Sequence, residues 1–280
     1  MQAKPETGSV LAHWNLSQME QEVAGTGAVS KKSTWDAYHR DKTQIQPNLK
    51  VYIDRFMNLL DEHRQPGPCR IFELGCGGSQ FLKASARRGW TVGGIDYHQE
   101  SIDKTRKSLA ASAPTEPELY CDDIFAFDWK SIEESFDVIC SFGFLEHFKD
   151  AEKIIKLANV ALKPGGLVLS QIPNLHLLNA GLMKKYDPEL WSQHVPYDKK
   201  EFDHIHEAAG LEILMAAEYR GKYDKHMLTP WAAIRNQMSS FRYNLLNYSM
   251  SAFGRPARVL LPAKGMKRFS PSVVGIYRKP

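Results

Sequence analysis

The sequence predicts a doubly wound α/β fold, a mostly parallel sheet of seven strands with helices on both faces. Three observations predict it: short apolar, β-branched runs recur from residue 69 to the end; helical segments separate them; and the first run breaks into a glycine-rich turn, "FELGCGGS" at 72–79. Strands covered on both faces read as continuous apolar runs, and helical crossovers join strands that lie parallel. At 280 residues, with 43% hydrophobic and 24% charged residues, the chain can hold one large domain with additions.

The elements follow in order. The first thirty residues are polar and weakly periodic. From Ser33 to His63 the spacing is helical, with Tyr52, Phe56, Leu59 and Leu60 on one face, until Gln65-Pro66-Gly67-Pro68 breaks the chain. Residues 1–64 are therefore expected to form an arm and a helical lid carrying Trp35, Asp36 and Tyr38. Residues 65–224 form the expected core. There "CRIFELG", "TVGGID", "ELYCDD", "FDVICSF", "GLVLSQIP" and "LEILMAAEY" read as strands, separated by the helices "SQFLKASARRG", "QESIDKTRKSLAAS", "AEKIIKLANVAL" and "KKEFDHIHEAAG". A basic segment at 225–269 precedes a final strand in 270–280, "PSVVGIYRK". Within it Ile234, Met238, Phe241, Leu245 and Tyr248 keep helical spacing, which predicts an amphipathic helix over the acceptor pocket, with a dimer contact or a membrane-surface helix as alternatives.

Gly75, Gly77 and Gly78 let the first strand turn sharply and let a ligand approach the backbone. Gln80 stands where a dinucleotide fingerprint needs a small residue, and no G-K-[ST] follows, which argues against a dinucleotide or a triphosphate. With "FELGCGGS", "GIDY" at 94–97, "CDDIF" at 121–125, "FDVICSFGFLEHF" at 136–148 and "LKPGGLVLSQIPN" at 162–174 in this order, the sequence resembles the class I S-adenosylmethionine-dependent methyltransferases. The resemblance implies their Rossmann-like fold, S-adenosylmethionine as cofactor with S-adenosylhomocysteine as product, and a set of binding positions. Asp96 accepts from the ribose hydroxyls; Asp123, or Asp122 in its place, accepts from the adenine amino group while the Ile124 amide donates to the ring. Gly75 and Gly77 admit the amino-acid end of the cofactor, and Glu73 steadies the turn or reaches the ammonium group. Ser141, Phe142 and Tyr97 complete the cofactor side.

Methyl transfer to an oxygen or nitrogen of a small molecule is the implied reaction. His147 of "LEHF" is the candidate base or a pin for its loop, and Glu146 a candidate contact to the substrate or to the cofactor's ammonium group. Other chemistry at the same sulfonium, releasing methylthioadenosine, and a noncatalytic binding scaffold are the rival readings. Acceptor contacts are assigned to Tyr38, His176, His194 and Arg235. The acceptor can be anionic: ten of the 36 Lys and Arg lie from Lys225 onward, where there is no Asp or Glu, while the first 224 residues carry 26 bases against 32 acids. Nucleic acid is not an expected partner, because Ser141-Phe142-Gly143-Phe144 replaces the D/N-P-P-Y/F sequence of base-amine methylating enzymes. Cys69, Cys76, Cys121 and Cys140 lack metal-ligand spacing and read as reduced thiols, with no metal expected. No signal segment and no apolar run of spanning length is visible, so the expected location is the cytoplasm, with a homodimer or peripheral membrane contact left open.

Overall fold

The computed structural model describes residues 27–30 and 49–280. Tyr38, Trp35 and Asp36 lie outside the described residues. Helix α1 (Leu49–Asp61) precedes β1 (Arg70–Leu74), α2 (Gln80–Arg87), β2 (Thr91–Asp96), α3 (Gln99–Leu109), β3 (Glu118–Cys121) and β4 (Phe136–Phe142). Then come α4 (Ala151–Ala161), β5 (Leu162–Pro173), α5 (Ala180–Tyr186), α6 (Pro188–Ser192), α7 (Lys199–Ala208), β6 (Glu212–Arg220), α8 (Trp231–Gln237), α9 (Ser240–Leu260) and β7 (Ser272–Arg278).

The seven strands form one sheet in the order β3-β2-β1-β4-β5-β7-β6. The first five are parallel. β7 runs antiparallel between β5 and β6. Side chains alternate across the pleat. Ile71, Val138, Cys140 and Leu169 face a layer containing Phe56, Leu60, Phe81, Leu82 and Ile102 of α1, α2 and α3. Phe72, Ile139 and Val168 face the other layer, with Ile154, Ile155, Phe202 and Ile205 of α4 and α7. Two buried layers on one sheet make the doubly wound architecture that the apolar runs predict.

Helix starts follow from local chemistry. Ser79 caps α2 by accepting from the Leu82 amide at 2.9 Å. Asp198 and Glu201 form a reciprocal capping box at α7, satisfying amides that the first helical turn leaves open. The 225–269 segment departs from the single helix expected there. Ser239 starts α9 afresh, so the phase breaks between α8 and α9: Ile234 is buried, whereas Phe241, Leu245 and Tyr248 face solvent. This segment packs on the chain that follows β5. Asn174 Nδ2 donates to the Lys267 and Ser270 carbonyls at 2.6 and 2.7 Å, and the Tyr223 hydroxyl donates to Asn179 Oδ1 at 2.7 Å.

Candidate functional site

The carboxyl ends of the parallel strands carry the predicted groups in spatial order: β3 presents Asp122 and Asp123, β2 presents Asp96, β1 runs into the glycine turn and β4 runs into Glu146 and His147. Ligands of open α/β sheets bind at this edge.

Gly75 adopts φ +70°, and a Cβ there would stand 2.5 Å from the Phe144 ring. Only glycine fits both demands. The Gly75 amide donates to the Ile95 carbonyl at 2.9 Å, and the Gly77 amide to Asp96 Oδ2 at 2.9 Å. Asp96 Oδ1 accepts from the His98 amide at 2.9 Å. Two fixed amides orient this carboxylate at the end of β2. Tyr97 follows it half-buried, its ring edge-on to His98.

Glu73 is buried and pairs with the Ser79 hydroxyl. Burial pushes its carboxyl up to about 8, opposed by the Ser79 hydrogen bond, with Asp96 adding to the rise. Of its two sequence-level roles, the contacts seen here are those that brace the turn. Thr105, which no sequence signal marks, holds the same turn: its hydroxyl donates to the Cys76 carbonyl at 2.9 Å and accepts from the Gly78 amide at 2.8 Å, 27 residues away.

At the end of β3, the Asp122 amide donates to the Asp96 carbonyl at 3.2 Å, which ties the two acidic positions together. Asp122 Oδ1 accepts from the Asp123 amide at 2.7 Å, and Asp123 Oδ1 from the Phe125 amide at 2.8 Å. Both carboxylates are exposed; Ile124 is buried, its carbonyl accepting from Trp129 Nε1 at 3.0 Å. At the end of β4, the Phe142 ring packs against Phe56 and Phe81, with centroids 5.0 and 4.5 Å away, and so belongs to the α1–α2 layer. The buried Ser141 hydroxyl has no hydrogen-bond partner among the described residues.

His147 is buried, its Nδ1 2.8 Å from the Gln193 carbonyl and its ring 4.7 Å from that of His194. Burial, with His194 adding, drives its pKa down to about 3 against the raising effect of the Gln193 carbonyl. The ring is neutral at physiological pH and ties the chain after β4 to the end of α6. His194 Nδ1 lies 2.7 Å from the Leu190 carbonyl, and burial lowers its pKa too. His176, after β5, donates its amide to Asn174 Oδ1 at 3.0 Å; burial and Lys267 lower its ring pKa. Arg235 is exposed on α8 with its guanidinium 5.9 Å from the Tyr243 ring centre.

Glu146 supplies the unusual electrostatics. It is 2% exposed, its Oε1 lies 3.6 Å from His147 Nε2, and its Oε2 has no hydrogen-bond partner among the described residues. Burial pushes this carboxyl up to about 8. Tyr52 of α1 pairs its hydroxyl with Ser272 of β7, and burial raises its pKa, with Arg55 opposing and Glu146 adding to the rise. That contact spans 220 residues, and the helical spacing that marks Tyr52 as a packing residue gives no hint of it.

The donor set fits an adenosyl amino acid. Exposed acceptors at β3, an oriented carboxylate at β2 and a side-chain-free turn at β1 lie along one edge, in the order in which adenine, ribose and amino acid are joined. A family model described as a methyltransferase domain matches residues 42–216. A ubiquinone biosynthesis O-methyltransferase of Neisseria meningitidis is 30% identical over 171 residues, covering 58% of this chain and 68% of that protein. Among solved structures, a putative sarcosine dimethylglycine methyltransferase from Galdieria sulphuraria aligns with TM-score 0.57 at 14% identity, over 94% of this chain and 97% of that one. The [4+2]-cyclase SpnF aligns with TM-score 0.54 at 17% identity, over 94% and 93%. These two likenesses concern the fold alone. With the family model spanning more than half of the chain, the chain belongs to the methyltransferase-domain family, the class I enzymes that use S-adenosylmethionine.

Proposed function

We propose that this enzyme methylates a hydroxyl group, most simply a phenolic one, of a small-molecule acceptor bound beyond the ends of β4 and β5. The observation that carries this reading is Glu146 Oε2, a buried carboxyl oxygen with no partner among the described residues. An unpaired buried polar atom costs roughly 1–3 kcal/mol, and a bound hydroxyl would relieve that cost. The 30% identical relative bearing the name O-methyltransferase supports oxygen as the accepting atom.

The cofactor supplies an electrophilic methyl group; the chain binds, orients and moves a proton. Asp96, Asp122 or Asp123, and the Gly75–Ser79 turn hold the adenosyl amino acid, with Tyr97, Ile124, Ser141 and Phe142 supporting. Glu146, whose carboxyl titrates at about 8, takes the acceptor's proton through Oε2. His147 holds the loop rather than acting as the base, because a conjugate acid of pKa about 3 retains a proton poorly at neutral pH. His176 and His194 contact the acceptor as neutral rings.

The test is transfer of isotopically labelled methyl groups to matched phenol and amine acceptors, with S-adenosylhomocysteine and methylthioadenosine both quantified. Phenol turnover with S-adenosylhomocysteine release is expected; amine turnover alone, or methylthioadenosine as product, overturns the reading. For wild type, kcat/KM should rise about tenfold per pH unit below 8 and level off above it. Glu146→Gln should remove that limb and lower kcat by about 10²–10⁴-fold. If the limb survives in Glu146→Gln, another group takes the proton.

A further inference from the structure

We propose that the outer face of α9 docks on an anionic lipid bilayer. The helix carries apolar residues on two opposite sides. Its inner side seats Ala257, which is buried, and Phe253, whose ring lies 5.4 Å from that of Tyr223, on the body of the protein. Its outer side repeats at spacings of four and three: Phe241, Leu245, Tyr248, Ala252, Arg255 and Val259. At 100° per residue these six positions form one stripe along the 21-residue helix. The stripe is bare: Phe241 is 77% exposed, Tyr248 74% and Val259 78%. Large apolar side chains left in water along one line mark a docking surface, because each is stabilised when it leaves water.

The charge chooses the partner. Arg242 and Arg258 flank the stripe, Arg255 lies within it, and all three are exposed without an ion pair among the described residues. From Lys225 to Arg268 the chain has eight Lys and Arg and no Asp or Glu. Pairing with a second copy through α9 would bring two such segments together with no acid in either to offset them. An anionic headgroup layer neutralises the cations while accepting the apolar stripe, and arginine stems reach to the headgroups as the rings sink. No described helix is long and apolar enough to cross a membrane, so the contact is of a helix lying on the surface.

The experiment floats the full-length protein with vesicles of phosphatidylcholine alone or mixed with phosphatidylglycerol. Binding to the mixed vesicles only, lost on raising salt, is expected. Replacing Arg242, Arg255 and Arg258 by Gln should weaken partitioning roughly five-fold per arginine, about a hundred-fold together. Phe241→Trp should give emission that shifts to the blue and is quenched by brominated acyl chains only with mixed vesicles. Retention of the S-adenosylhomocysteine thermal shift separates loss of docking from loss of fold. Equal flotation with both vesicle types, or with neither, overturns the proposal. So does a blue shift that needs no lipid and follows dimer formation in sedimentation, which would assign the face to a second copy.

Discussion

Gly75 shows how a single atom is excluded at the site. At φ +70° an L side chain costs roughly 1–2 kcal/mol, and the Phe144 ring leaves a Cβ no room without moving. Gly75→Ala is therefore expected to destabilise the protein by about 2–4 kcal/mol in urea denaturation. It should also weaken S-adenosylhomocysteine binding in calorimetry; unchanged affinity would show that the turn does not hold the cofactor. Positions of this kind are legible in sequence because the end of a predicted strand fixes where they stand, and Asp96 is another. His147 differs. Its spacing after β4 marks it as chemically interesting, but what decides its behaviour is burial, with His194 adding to it, and the ring is anchored by the Gln193 carbonyl 46 residues on; no local pattern encodes either. Glu146 is legible in the sequence as a candidate contact but not as a base, since its orphaned oxygen is a property of the packed site.

At the scale of elements, α1 is more than a cover over the site. Phe56, Met57, Leu59 and Leu60 are buried, and they join Ile71, Phe81 and Leu82 in one of the two core layers. Leu60→Ala should cost about 2–5 kcal/mol, read as a lower urea midpoint with unchanged slope. A cost below 1 kcal/mol would mean that α1 only rests on the sheet. Within the described helix, Leu49–Asp61, the period revealed the inward face, because burial and period coincide there. The same logic failed in 225–269, where an apolar period continues across Ser239 although the helix does not. Periodicity alone cannot register a cap that resets the phase, nor tell a stripe that packs from one that meets solvent.

The whole molecule carries its buried ionisable groups as a pH response. Glu73 and Glu146 have carboxyls raised from 4.5 to about 8, so the stability tied to their protonated forms is complete below 4.5 and is lost as pH rises to 8. His147 and His206 are lowered from 6.5 to about 3, so their contribution is present above 6.5 and is lost as pH falls through about 3. Between 4.5 and 6.5 the two pairs oppose each other; from 6.5 to 8 only the carboxyls act, at up to about 1.4 kcal/mol per pH unit for each group. The ligand-free protein should therefore be less stable at pH 8 than at 6.5, with a smaller decline in Glu73→Gln. Stability that rises over this interval would show that these carboxyls do not govern it.

The pairing of β6 and β7 has a topological consequence. Arg220 and Ser272 face each other in the ladder, so the chain between them departs and returns at one rung, touching the end of β6 again where Lys264 bridges Arg220. The excursion is a cassette whose two ends are clamped by strands that pair on either side of the gap. It can lengthen, shorten or exchange its outer surface without shifting the register that holds Asp96 and Gly75, because closing a longer loop costs only about 0.6 kcal/mol per doubling. The outer surface of 221–271 can therefore change while β1 and β2, four and five strands from β6, keep the pairing that places Gly75 and Asp96.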